Sequence, residues 1–149
     1  MMPTTLAPPA NDLAGMLQTL MAADRFRTFI AAVAAAGVSR DLSRGGLTVF
    51  APSDYAFERL PVETLTTLFT DPDRLRVFLA AHIVRGEYAE RDLIPFTRLP
   101  TLAGSELTLS VGRDDREILV DGVGIVTTDI VTSGGVVHEL DGVLGQAVP

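Results

Sequence analysis

Three features of the sequence predict an α+β fold. Helical periodicity fills the first part of the chain, β-type alternation fills the last part, and the change comes after Gly86. A length of 149 residues suits one domain with one substantial core. Pro3, Pro8 and Pro9 make residues 1–10 a poor helix, so a flexible tail is expected there, with residues 11–149 as the single domain.

The elements follow in order. Asn11 or Asp12 can cap a helix on which Leu13, Met16, Leu17, Leu20 and Met21 form one apolar face. A second helix is expected from Asp24, with Phe26, Phe29, Ile30 and Val33 buried and Gly37 as a left-handed cap. Gly45-Gly46 turns the chain into the strand Leu47 to Ala51, which Pro52 ends. Ser53 can cap a short helix carrying Tyr55 to Leu60, and Pro61 opens another through Leu68. Asp71-Pro72 starts the next helix, with a capping carboxylate followed by a proline at the first helical position. Leu75, Phe78, Leu79 and His82 share its apolar face.

Strand signals dominate the rest. Leu107, Leu109 and Val111 alternate with polar residues, and Gly112 to Arg116 reads as a charged hairpin tip. Ile118 and Val120 alternate again before the Asp121-Gly122 turn. Ile125 to Ile130 and Val136 to Leu140 complete the set, with no internal repeat and no low-complexity stretch.

Composition excludes several chemistries. There is no cysteine, so thiol nucleophiles, disulfides and thiolate metal sites are ruled out. All 12 basic residues are arginine, so lysine Schiff-base chemistry has no residue to use. A net charge of −7 repels phosphate backbones, so no nucleic-acid partner is expected. No run reaches the ~20 apolar residues of a membrane span. The stretch Met1 to Ala10 lacks the charged start and apolar core of a signal peptide.

Three segments, in this order, resemble the fasciclin (FAS1) domain family. The first is Thr48-Val49-Phe50-Ala51-Pro52-Ser53-Asp54-Tyr55-Ala56-Phe57, with Leu60 and Pro61 after it. The second is His82-Ile83-Val84-Arg85-Gly86-Glu87-Tyr88, similar to the family's central histidine segment. The third runs from Asp129 to Leu144 and is similar to the C-terminal signature, which usually ends in a proline, here Pro149. Thr101 to Gly104 and Val120 to Val123 match the family's strand-turn elements. The resemblance covers about Asp12 to Pro149 and implies helices packed beside a two-sheet β-wedge. The family often carries a tyrosine before the central histidine, where this chain has Ala81, and Asn-Gly where it has Gly134-Gly135. A glycine at 134 can adopt the left-handed backbone of such a turn.

Thr48, Phe50, Pro52, Ser53, Phe57, Gly104, Gly135, His138 and Asp141 form the structural signature that the resemblance implies. Phe50, Phe57 and Leu60 read as core, and Ser53 as a helix cap. His82 and His138 sit among apolar neighbours, where a polar ring must find hydrogen-bond partners. A zinc site normally needs three or four protein ligands, and no ligand spacing stands out, so neither metal nor cofactor is expected. The candidate partner-binding residues are Asp129, Ile130 and His82. The resemblance places Asp129-Ile130 where some animal relatives have an Asp-Ile pair linked to integrin contact. The alternative is that Asp129 satisfies amides of the Ser133 to Gly135 turn while Ile130 packs. Asp141 has a similar turn reading.

No catalytic constellation is recognisable; no Gly-x-Ser-x-Gly elbow surrounds a serine. The resemblance implies an extracytoplasmic interaction or adhesion module with a protein or glycan partner. A cytoplasmic site stays open because no signal peptide is legible. The alternative function is an apolar small-molecule binder or a pocket-shaping biosynthetic enzyme, for which 47% hydrophobic content supplies material. A structural domain of a larger assembly is the third reading.

Overall fold

A computed structural model describes residues 12–38, 46–112 and 117–144. The expected tail, the Asn11 cap, Gly45, the hairpin-tip residues 113–116 and Pro149 lie outside the described residues.

The helices are α1 (Asp12–Ala23), α2 (Arg27–Ala36), α3 (Asp54–Glu58), α4 (Val62–Thr70), α5 (Pro72–Ala80) and α6 (Glu90–Leu93). The strands are β1 (Leu47–Pro52), β2 (Ile83–Arg85), β3 (Arg98–Pro100), β4 (Glu106–Val111), β5 (Ile118–Val120), β6 (Val123–Thr132) and β7 (Gly135–Leu140). The fold is α+β, and several boundary signals have a local cause. Gly37 ends α2 at φ 67, a left-handed cap. Ser53 Oγ accepts the Ala56 amide at 3.3 Å and caps α3. Asp71 Oδ1 accepts the amides of Asp73 and Arg74 at 3.0 and 3.3 Å, with Pro72 at the start of α5. Asp121 (φ 50) and Gly122 (φ 82) turn β5 into β6 with two left-handed residues.

One boundary moves. The second helix starts at Arg27 instead of Asp24, because Asp24 is left-handed at φ 57 and its carboxylate bonds the Arg27 side chain. The first turn of α2 is instead served from a distance: Asp54 Oδ1 accepts the Thr28 amide at 2.8 Å.

The strands form one ladder in the order β2-β1-β7-β6-β5-β4-β3. Among the described residues only β1 and β7 run parallel, pairing Leu47 with Gly135 through to Pro52 with Leu140; Pro52 therefore extends β1 by one residue. The first residues of β6 pair with β5 and the rest with β7, so β6 is shared between two layers. Just beyond β3, the Leu102 amide donates to the Ile83 carbonyl of β2 at 2.9 Å. The two ends of the ladder meet there, so the wedge closes almost into a barrel.

Two cores result. Leu47, Val49, Ala51, Ile83 and Val137 pack under the helices with Phe29, Phe57, Phe78 and Leu79. Phe50, Val84 and Leu140 point the other way, into a second core with Leu99, Leu107, Leu109 and Val120. Both β1 and β7 are buried along their whole length, as strands covered on both faces must be. The one buried carboxylate in β7, Glu139, is met by Arg25 Nε at 2.8 Å from the loop between α1 and α2.

Candidate functional site

The site is built from β1 outward. Buried Thr48 donates its hydroxyl to the Gly86 carbonyl at 2.6 Å and accepts the Tyr88 amide at 2.8 Å. Gly86, at φ 105, lies so close to the Tyr88 ring that a Cβ would come within 2.9 Å of it. The chain after β2 is thereby folded back over the sheet, and it brings Tyr88 and Glu90 to β7 and β6.

His138, on β7, occupies the junction. Its ring is fully buried and stacks on Phe50 at 5.5 Å between centroids. Its Nε2 lies 2.7 Å from the Tyr88 carbonyl, and its Nδ1 lies 3.2 Å from the Asp129 amide. A carbonyl can only accept and an amide can only donate. Both bonds therefore require the neutral ring with its proton on Nε2. Burial lowers the His138 pKa; the Tyr88 carbonyl and the charges of Asp129 and Glu90 oppose that shift without cancelling it.

Asp129 completes the cluster. Its backbone is left-handed at φ 58, and its Oδ1 accepts the Glu90 amide at 2.7 Å. It lies within the second of two register shifts in β6, one from Ile125 to Thr127 and one from Thr127 to Ile130. The shifts let exposed residues recur at 126, 129 and 131, a spacing that a regular pleat would not give. Val126 is 60% exposed and Val131 74%. Beyond Gly124 the outer edge of β6 has no strand neighbour among the described residues. Val126, Asp129 and Val131 thus make a ridge of two apolar side chains around a carboxylate.

The other sequence candidates lie elsewhere. Ile130 is partly buried and packs against the helix-side core. His82 lies just beyond α5 and is fully buried, with its ring 4.6 Å from that of Phe78. Its Nδ1 donates to the Phe78 carbonyl at 2.8 Å, and its Nε2 accepts the Leu144 amide at 3.3 Å. Burial lowers its pKa to about 4. Of the three candidate partner-binding residues, Asp129 is exposed, Ile130 is partly buried and His82 is buried. Val126 and Val131 were not singled out from the sequence, because the bulges that expose them leave no mark in an apolar run.

Two local expectations are corrected. The Asp129 carboxylate serves the amide of Glu90, 39 residues away, and not the Ser133 to Gly135 turn. That turn is held by Thr132, whose hydroxyl donates to the Gly135 carbonyl at 2.8 Å and accepts the Gly134 amide at 3.1 Å. The glycine with positive φ is Gly135, at 140, and not Gly134. Gly104, at φ 91, turns the chain between β3 and β4. Asp141 donates its amide to the Gly124 carbonyl at 3.2 Å, which continues the β6–β7 ladder.

Two grooves among the described residues open to solvent. One, about 370 Å³, is largely apolar and lies between α1 and α2, lined by Leu20, Met21, Phe26 and Ile30. The other, about 510 Å³, lies between α3 and the start of β6, with Arg59, Glu117 and Asp141 on its walls. Among the described residues no three His, Asp or Glu side chains are grouped to hold a metal ion, and no helix is long and apolar enough to cross a membrane.

The family model for the Fasciclin domain matches residues 24–146. The chain belongs to the fasciclin family. It is 37% identical over 123 residues to the transforming growth factor-beta-induced protein ig-h3 of Sus scrofa, covering 81% of this chain and 18% of that one. It is 33% identical over 122 residues to the uncharacterized protein sll1735 of Synechocystis, covering 81% and 90%. It is 37% identical over 103 residues to the cell surface glycolipoprotein MPB83 of Mycobacterium bovis, covering 69% and 45%. The fasciclin fold is shared with a FAS1 domain pair from the insect cell adhesion molecule Fasciclin I. That match has a TM-score of 0.66 at 21% identity and covers 80% of this chain and 44% of the pair.

Proposed function

We propose that this fasciclin domain is a non-catalytic interaction module of the adhesion type, which binds a partner protein through the β6 ridge of Val126, Asp129 and Val131. The observation that carries this reading is the ridge itself. Two valines more than half exposed and an exposed carboxylate, on a strand whose outer edge beyond Gly124 has no strand neighbour among the described residues, offer apolar contact area, one charge for orientation, and backbone groups for pairing. Basic and apolar side chains on a partner protein complement such a surface better than a glycan does. The mycobacterial relative, a cell surface glycolipoprotein, supports an extracytoplasmic setting. The apolar groove between α1 and α2 is where a small molecule would sit, but its openness leaves such a ligand poorly buried.

The test is adhesion of cells to a surface coated with the chain, compared with Asp129→Asn and with the Val126→Ser, Val131→Ser double variant. Asparagine tolerates the left-handed backbone and still accepts the Glu90 amide, so it removes the charge alone. Loss of about 1–2 kcal/mol of binding, near tenfold in affinity, is expected for each variant with unchanged circular dichroism. Protease treatment of the cells should abolish adhesion and glycosidase treatment should not. Adhesion indifferent to both variants would place the contact elsewhere.

A further inference from the structure

We infer that His138 is a pH-sensitive latch, which fixes the Asp129 bulge when its ring is neutral and releases it when the ring is protonated. Three hydrogen bonds meet in one small circuit: His138 to the Tyr88 carbonyl, the Asp129 amide to His138, and the Glu90 amide to Asp129. The circuit joins β7, the bulge of β6, and the segment that leads into α6. A second proton on the ring lands on Nδ1, which then faces the Asp129 amide donor to donor. That bond is lost, and with it the local support for a left-handed aspartate.

The groups around the ring set the direction. Phe50 of β1 stacks on it and carries no charge. The charged groups that act on it are the carboxylates of Asp129 on β6 and Glu90 on α6. An imidazolium would therefore draw the Asp129 carboxylate inward, away from the ridge. Glu139, the other carboxylate of β7, is engaged by Arg25 and belongs to the opposite face. The ring is already neutral at pH 7 and protonates only below its ordinary range, because burial outweighs the two carboxylates. The consequence for binding rests on the ridge reading above: adhesion should weaken in mild acid. The latch itself does not depend on that reading.

The test is nuclear magnetic resonance of the full ¹⁵N-labelled chain, without any partner, from about pH 7.5 to about pH 4.5. Long-range ring spectra should show His138 protonated on Nε2 at neutral pH. As the ring titrates, the Asp129 and Glu90 amide signals should move with its midpoint. The Leu144 amide, bonded to His82, should stay still until the pH nears about 4. In His138→Gln, which cannot titrate, the Asp129 movement should vanish; should that variant not fold, the contrast between Asp129 and Leu144 in the natural chain decides the matter. A ring that titrates while the Asp129 and Glu90 amides stay fixed would overturn the latch. So would all amides moving together in one unfolding step. Amides that respond while adhesion stays constant with pH would leave the latch standing and sink the ridge reading.

Discussion

Two glycines with the same kind of backbone carry different loads. Gly135 opens β7 at φ 140, and a Cβ there would run into the Leu47 carbonyl oxygen and lie 2.8 Å from the Leu47 carbonyl carbon. Backbone cannot step aside as a flexible side chain can, so strain and overpacking add. Gly135→Ala is expected to cost roughly 2–5 kcal/mol, read from urea unfolding midpoints. Gly37 caps α2 at φ 67 with nothing within 4 Å of its added Cβ, so Gly37→Ala carries only the left-handed penalty, ~1–2 kcal/mol. Similar losses for the two would mean that the β1–β7 approach is looser than described. The need for a glycine in the Gly134-Gly135 turn was legible in the sequence. Which of the two holds positive φ was not, because that depends on how closely β1 passes, and β1 lies almost ninety residues earlier. The same limit applies to Asp129: a turn aspartate was a fair local reading, but its amide partner arrives from the distant Glu90.

At the scale of elements, each buried histidine ties two segments that share no local sequence. His82 joins the end of α5 to Leu144, and His138 joins β7 to Tyr88 and Asp129. Both rings are neutral in the fold, with folded-state pKa values below the ordinary value of ~6.5. The unfolded chain therefore takes up these protons first as the pH drops. The histidine contribution to stability is intact above ~6.5 and is lost as pH falls toward about 4, where His82 itself protonates. For His82 alone the loss approaches ~3 kcal/mol, and His138 adds in the same direction. Thermal unfolding followed from about pH 7.5 to pH 4 should show this decline, and a flat profile would contradict the buried neutral rings. The structural role of both histidines was legible from their apolar neighbours; their bonding partners were not. The elements that went unread, β2, β3 and α6, have three or four residues each and lack the flanking alternation and Asp-Gly turn that marked the equally short β5. The helix ends at Gly37, Ser53 and Asp71 were read correctly because capping chemistry is local.

For the whole molecule, the parallel pairing of β1 with β7 is the central joint. It buries both strands completely and links the helical half of the chain to its last strand. A chain ending before Gly135 loses the strand between β1 and β6, and with it one wall of each core. Such a truncation is expected to lack cooperative unfolding by circular dichroism, whereas a cooperative transition would show that the first half folds alone. The order of helices before strands was legible as a class, and the three signature segments gave the fold by resemblance. The ridge was not legible, since it depends on two register shifts in β6 that leave Val126 and Val131 exposed. The most direct test of its role is site-specific photo-crosslinking of the chain on the surface of cells to which it adheres. One reactive side chain replaces Val131 on β6, and a second, in a separate variant, replaces the equally exposed Val62 on α4. A domain that binds through β6 yields a discrete crosslinked protein from position 131 and none from position 62. Capture from position 62 alone, or equal capture from both, would contradict the ridge.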